Sequence, residues 1–105
     1  MNDIEKRIWD AAMRRVAAVF GIALDALRLE QKFGEDLKSS FVSNFKRNEF
    51  DLINDDIYDV VDRKVAKDIA SGALVIRTVE DYCRYMVRCY ETNPKAVRQV
   101  LRIEE

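Results

Sequence analysis

The chain has 105 residues, 49% of them apolar and 35% charged, with a formal net charge of −1. That length suits one folded unit spanning 1–105 around one core, and that balance excludes a disordered chain or a membrane span. The absence of a basic excess argues against a nucleic-acid partner. With only three glycines and one proline, the chain has too few breakers for a hairpin-rich β fold, and an all-α fold is expected. No apolar run approaches the ~20 residues a bilayer span needs. The opening MNDIEKRIWD lacks the apolar core of a signal peptide, so a cytoplasmic location is expected.

In chain order, the first helix is predicted from about Asp3, a plausible N-cap, to Phe20. Ile4, Ile8, Ala12 and Val16, flanked by Trp9, Val19 and Phe20, form its apolar stripe, and Arg14 and Arg15 read as solvated. Gly21 stands where a left-handed C-terminal residue is wanted. Residues 22–37 are a long connection anchored by Ile22, Leu24, Leu27, Leu29, Phe33 and Leu37. A short helix over 39–48 would put Phe41, Val42 and Phe45 on one face.

The strongest helical signal runs from about Glu49 to Ile69, where Ile53, Ile57, Val60, Val61, Val65 and Ile69 repeat at spacings of three and four. Ser71-Gly72 stops it, and the apolar stretch 73–77 reads as an extended tether. Thr78, with Asp81 three residues on, opens the next helix in a pattern close to a capping box. Its buried side is Val79, Tyr82, Cys83, Met86, Val87 and Tyr90. Asn93-Pro94 starts a last helix, 94 to about 103. Cys83 and Cys89 lie roughly 9 Å apart along one helix, beyond disulfide reach, and read as reduced, partly buried thiols. Arg84 and Arg88 read as surface ion-pair partners.

Segment 49–62, EFDLINDDIYDVVD, carries six acidic residues and no basic one. On a continuous helix Asp51, Asp55, Asp59 and Asp62 share one face. Like charges at that spacing each oppose the helix by a few tenths of a kcal/mol. Two readings stand: a solvated outer face, or a docking surface that speeds encounter with a basic partner. No histidine, glycine-rich phosphate loop or nucleophile–base pair supports an enzyme, and no metal site is expected.

The order of these pieces resembles the acyl carrier protein family. FGIALDALRLEQKFGEDL, 20–37, is similar to the end of that family's first helix and its long first loop. The acidic helix resembles its recognition helix, and IRTVEDYCRYM, 76–86, the threonine-valine start of its last helix. The resemblance covers roughly residues 4–90. It implies a four-helix bundle, here with an extra C-terminal helix, that binds acyl groups and presents them to enzymes. Ile57, Val61 and Val79 would border an acyl cleft, and the four aspartates would meet basic surfaces of acyl-handling or modifying enzymes. The family carries 4′-phosphopantetheine on the serine of an Asp-Ser-Leu motif at the start of the second helix, where free N–H groups favour the phosphodiester. That motif is absent from this chain, and two registers compete. In one, Ser39-Ser40-Phe41 stands in and Ser40 carries the arm, unless Ser39 and Ser40 are simple caps. In the other, Asn48-Glu49-Phe50-Asp51 takes the place, Glu49 occupies the serine position, and no arm can be attached.

Overall fold

A computed structural model of the protein describes residues 1–37 and 48–103. The predicted short helix over 39–48 therefore lies outside the described residues except for Asn48, and Ser39 and Ser40 lie outside them entirely.

The first helix, α1, spans Asp3–Phe20, as predicted. Asn2 rather than Asp3 is the cap, its side chain accepting from the Glu5 N–H at 2.8 Å. Ile8, Ala12 and Val16 are buried as the stripe requires, whereas Ile4 in the first turn is 54% exposed. The helix ends as expected at Gly21 (φ 66°), where the Ile22 N–H bonds back to the Ala17 carbonyl. That left-handed turn is easy for glycine because it has no Cβ.

The long connection is held at both ends. Leu27 and Leu37 are buried, while Ile22, Leu29 and Phe33 pack on the core as partly buried anchors. Leu24 is exposed and sits in a 3₁₀ turn, Leu24–Ala26. Residues 29–33 then run beside 77–80. The Phe33 N–H donates to the Arg77 carbonyl, and the Val79 and Glu80 N–H groups donate to the carbonyls of Gln31 and Leu29. These are the unpaired donors of a helix start, so the loop supplies what the next helix lacks. Phe20 stacks on Phe33 and tilts against Phe50, both at 5.9 Å between centroids, tying the end of α1 to the loop and to the second helix.

The expected single helix from Glu49 to Ile69 is two: α2, Glu49–Asp59, and α3, Arg63–Ser71. Two physical terms break it. Asp55, Asp56 and Asp59 crowd the negative end of the α2 dipole with no basic residue in the last turn, an arrangement the dipole opposes. Asp62, two β-branched valines later, adopts an extended backbone and caps α3, accepting from the Val65 N–H at 2.8 Å. The break also lets both Val60 and Val65 be buried. Side chains from the fourth helix and from the residue that follows it satisfy the carbonyls it frees. The Tyr85 hydroxyl donates to the Ile57 carbonyl at 2.6 Å, and the Asn93 amide to that of Val60 at 3.4 Å.

Gly72 (φ 80°) ends α3 as its Ser-Gly signal predicts. The next helix, α4, spans Val79–Thr92 with the Thr78–Asp81 capping box formed in both directions. It is the central element: Val79, Tyr82, Cys83, Tyr85, Met86 and Cys89 are all buried, and its main packing partner is α1. The last helix, α5, spans Pro94–Leu101 and closes over α4, α1 and α2 with Val97 and Leu101 inside. The described residues are thus all-helical, with isolated bridges but no strand. No helix among them is long and apolar enough to cross a membrane.

Both cysteines are free and buried. Burial pushes the Cys83 thiol up to about 12 and also raises that of Cys89. Only the thiolate alkylates readily. The folded protein treated with iodoacetamide at pH 8 should therefore keep its mass, while denatured protein should gain an adduct at each cysteine. Adducts on the native protein at the denatured rate would contradict this burial.

Candidate functional site

The acidic segment was the leading site candidate, and the structure divides its six carboxylates among distinct roles. Glu49 is the first residue of α2. Asp51 completes a capping box: its carboxylate accepts from the Asn48 N–H at 3.1 Å, and its own N–H donates to the Asn48 side chain at 2.9 Å. Asp55 is half-buried and Asp59 exposed on the outer side of α2. Asp62 is not on that helix, which corrects the expectation of one continuous face. Its carboxylate accepts from the Thr92 hydroxyl and the Val65 N–H, and these bonds hold it below the usual carboxylate range.

Asp56 is the residue that sequence reasoning missed. It is 4% exposed, the one buried charged residue among those described. Arg15 grips it with two bonds, Nε to Oδ2 at 2.8 Å and Nη2 to Oδ1 at 3.1 Å. The Tyr82 hydroxyl donates to Oδ2 at 2.9 Å. A fork of this kind is among the stronger protein hydrogen-bond arrangements. The bond to Asp56 raises the Arg15 guanidinium above its ordinary value, so it is held protonated. Burial and the Asp56 charge push the Tyr82 hydroxyl well up, which keeps it a donor. The expectation that Arg15 is solvated is therefore corrected. A signal was present: Ile53, Asp56 and Val60 fall at i, i+3 and i+7, so Asp56 lies on the apolar stripe of its helix.

This triad joins α1, α2 and α4, and with the Tyr85–Ile57 bond it fixes how α2 is presented. The outer side carries Tyr58, 54% exposed, one turn after Asp55, while Asp59 lines the groove towards α5. Beside it runs a cleft of about 270 Å³ lined by Ile57, Tyr58, Ile69, Leu74, Val75 and Ile76, with Asn54 and Gly72 at its edge. Of Ile57, Val61 and Val79, only Ile57 lines this cleft. Val61 packs on the core half-buried, and Val79 is fully buried. The tether over 73–77 supplies the opposite wall, with Val75 47% exposed.

Arg84 and Arg88 pair as expected, with Glu80 at 3.2 Å and Asp68 at 2.6 Å. Arg84 also lies 5.9 Å over the Trp9 ring. Comparisons with protein-family models, curated proteins and solved structures gave no match.

Proposed function

We propose that this protein is a carrier-like helical adaptor, a bundle with an added C-terminal helix, that docks a basic partner protein through α2 and carries no prosthetic arm. The observation that carries this reading is Tyr58, an exposed aromatic one turn from Asp55 and next in sequence to Asp59 on a helix anchored from beneath by Arg15, Asp56 and Tyr82. Exposed tyrosines are enriched among the residues that dominate protein interfaces, and flanking acids select a basic partner and speed encounter. Catalysis plays no part in this reading. The described start of α2 does not fit phosphopantetheine: its first helical position holds Glu49, and a carboxylate cannot form the phosphodiester that a serine hydroxyl forms.

A binding assay against the host's basic proteins tests the reading. Asp55→Lys with Asp59→Lys, and separately Tyr58→Ala, should each weaken a captured partner about tenfold or more. Binding indifferent to both changes would rule out α2 as the docking surface.

One observation favours a second reading, in which the protein is a divergent acyl carrier modified at Ser40. The apolar cleft beside α2 is lined by aliphatic side chains of the sort that would shelter an acyl chain. Intact mass spectrometry after incubation with coenzyme A and a promiscuous phosphopantetheinyl transferase separates the two. A gain of one phosphopantetheine mass, absent in Ser40→Ala, selects the carrier. An unchanged mass selects the adaptor.

A further inference from the structure

Between α1 and the end of α5 lies a groove of about 490 Å³. Among the described residues its walls carry four guanidinium groups, those of Arg7, Arg14, Arg15 and Arg102, against one carboxylate, Asp10. Arg15 is committed to Asp56. Among the described residues no ion pair holds Arg7, Arg14 or Arg102. The floor is apolar, formed in part by Ala11 and Leu101.

Arg102 adds an independent observation. It is the only residue other than glycine with a positive φ among those described (φ 57°, ψ 44°). It closes α5 in the same turn that Gly21 makes for α1: the Ile103 N–H bonds to the Arg98 carbonyl as the Ile22 N–H bonds to that of Ala17. Glycine makes this turn without strain and arginine does not. A non-glycine residue kept in a strained backbone conformation at the rim of a basic groove points to use of its side chain.

We propose that this groove docks an acidic peptide segment of a partner protein. The spacing of the charges selects that ligand over a small anion. Arg7 and Arg14 are seven residues apart on α1, about 10 Å along the axis, farther than one phosphate can bridge. Carboxylates seven residues apart on a helical segment have the same separation, and aliphatic side chains between them meet the apolar floor. The site is bounded on the α2 side. The adjoining groove, about 430 Å³, contains Asp59 together with Arg15, Asp56 and Arg102, and Asp59 would repel an acidic ligand. This site thus takes the opposite charge from the α2 surface, with Asp59 at the boundary between the two.

Fluorescence anisotropy tests this with a labelled helical peptide carrying glutamates seven apart with leucine and alanine between them. Saturable binding to the full chain is expected, falling about tenfold as salt rises from about 50 to about 200 mM. The glutamine version of the peptide should not bind. Arg7→Gln with Arg14→Gln should weaken binding about tenfold. Arg102→Gly should weaken it about fivefold while holding or raising the melting temperature, a split that a purely structural role for Arg102 would not produce. Asp55→Lys with Asp59→Lys should leave this binding intact or tighten it, since Asp59 borders the site, whereas the same change should weaken docking at α2. No saturation at about 1 mM peptide, affinity unchanged in the arginine variants, or equal competition by inorganic phosphate would each overturn the proposal. So would binding that appears only when Glu104 and Glu105 are deleted, because the chain's own acidic tail would then be the occupant.

Discussion

Asp56→Ala should lower the unfolding free energy by about 3–5 kcal/mol, the usual loss when one member of a buried ion pair is removed. A domain of this size ordinarily has about 5–15 kcal/mol in total, so urea unfolding should show a large drop in midpoint. The alanine leaves the Tyr82 hydroxyl without its acceptor in a fully buried position, and it leaves Arg15 without the carboxylate that gathers it. The exposure of the partners sets the asymmetry: the Arg15 side chain is 20% exposed and can turn to water, whereas that of Asp56 is 5% exposed. Replacing the network as a whole should be far milder. Asp56→Leu with Arg15→Met and Tyr82→Phe substitutes apolar packing for charges whose desolvation opposes folding. Recovery of most of the loss in that triple variant would show that the triad positions α2 and does not supply net stability. A single-variant loss below about 1 kcal/mol would show that the pair is solvated and worth no more than a surface bridge.

That triad also marks the limit of what the sequence made legible. Local chemistry could be read directly. Gly21 and Gly72 end helices, Thr78 and Asp81 form the capping box, and Pro94 opens the last helix, because each of these depends on residues within one turn. Arg15 and Asp56 are 41 residues apart, and no local pattern joins them. Counting Asp56 with the other acids of its segment hid that it alone sits on the apolar stripe. The break at residues 60–62 was obscured for a related reason. The apolar spacing of Ile57, Val60, Val61 and Val65 continues across it, and no glycine or proline announces it. The spacing of Asp62 places it on a charged face, but its side chain serves the backbone as a cap. The basic groove was invisible because its walls come from opposite ends of the chain.

Tyr85→Ala should cost about 3–5 kcal/mol, the range for deleting a buried aromatic side chain, and Tyr85→Phe about 1–2 kcal/mol. The two variants separate packing from hydrogen bonding at the α2–α3 corner. The phenylalanine keeps the ring, which is 2% exposed, and removes only the donor to the Ile57 carbonyl. That carbonyl belongs to the last turn of α2, where no intrahelical partner is available. Burial pushes the Tyr85 hydroxyl well up, so it remains a donor at any pH the fold survives, and the phenylalanine effect should not vary between pH 6 and 9. Hydrogen exchange locates the consequence. In Tyr85→Phe, amides near Asp59 and Val60 should exchange faster while those at the centre of α4 keep their protection. Because Ile57 and Tyr58 also line the cleft beside α2, this loosening should reach the proposed partner-binding side chains. Tyr85→Phe should therefore weaken partner binding at α2 by more than its small loss of global stability would produce. If binding is unchanged while exchange near Asp59 accelerates, the partner reads the charge of α2 and not its fixed position.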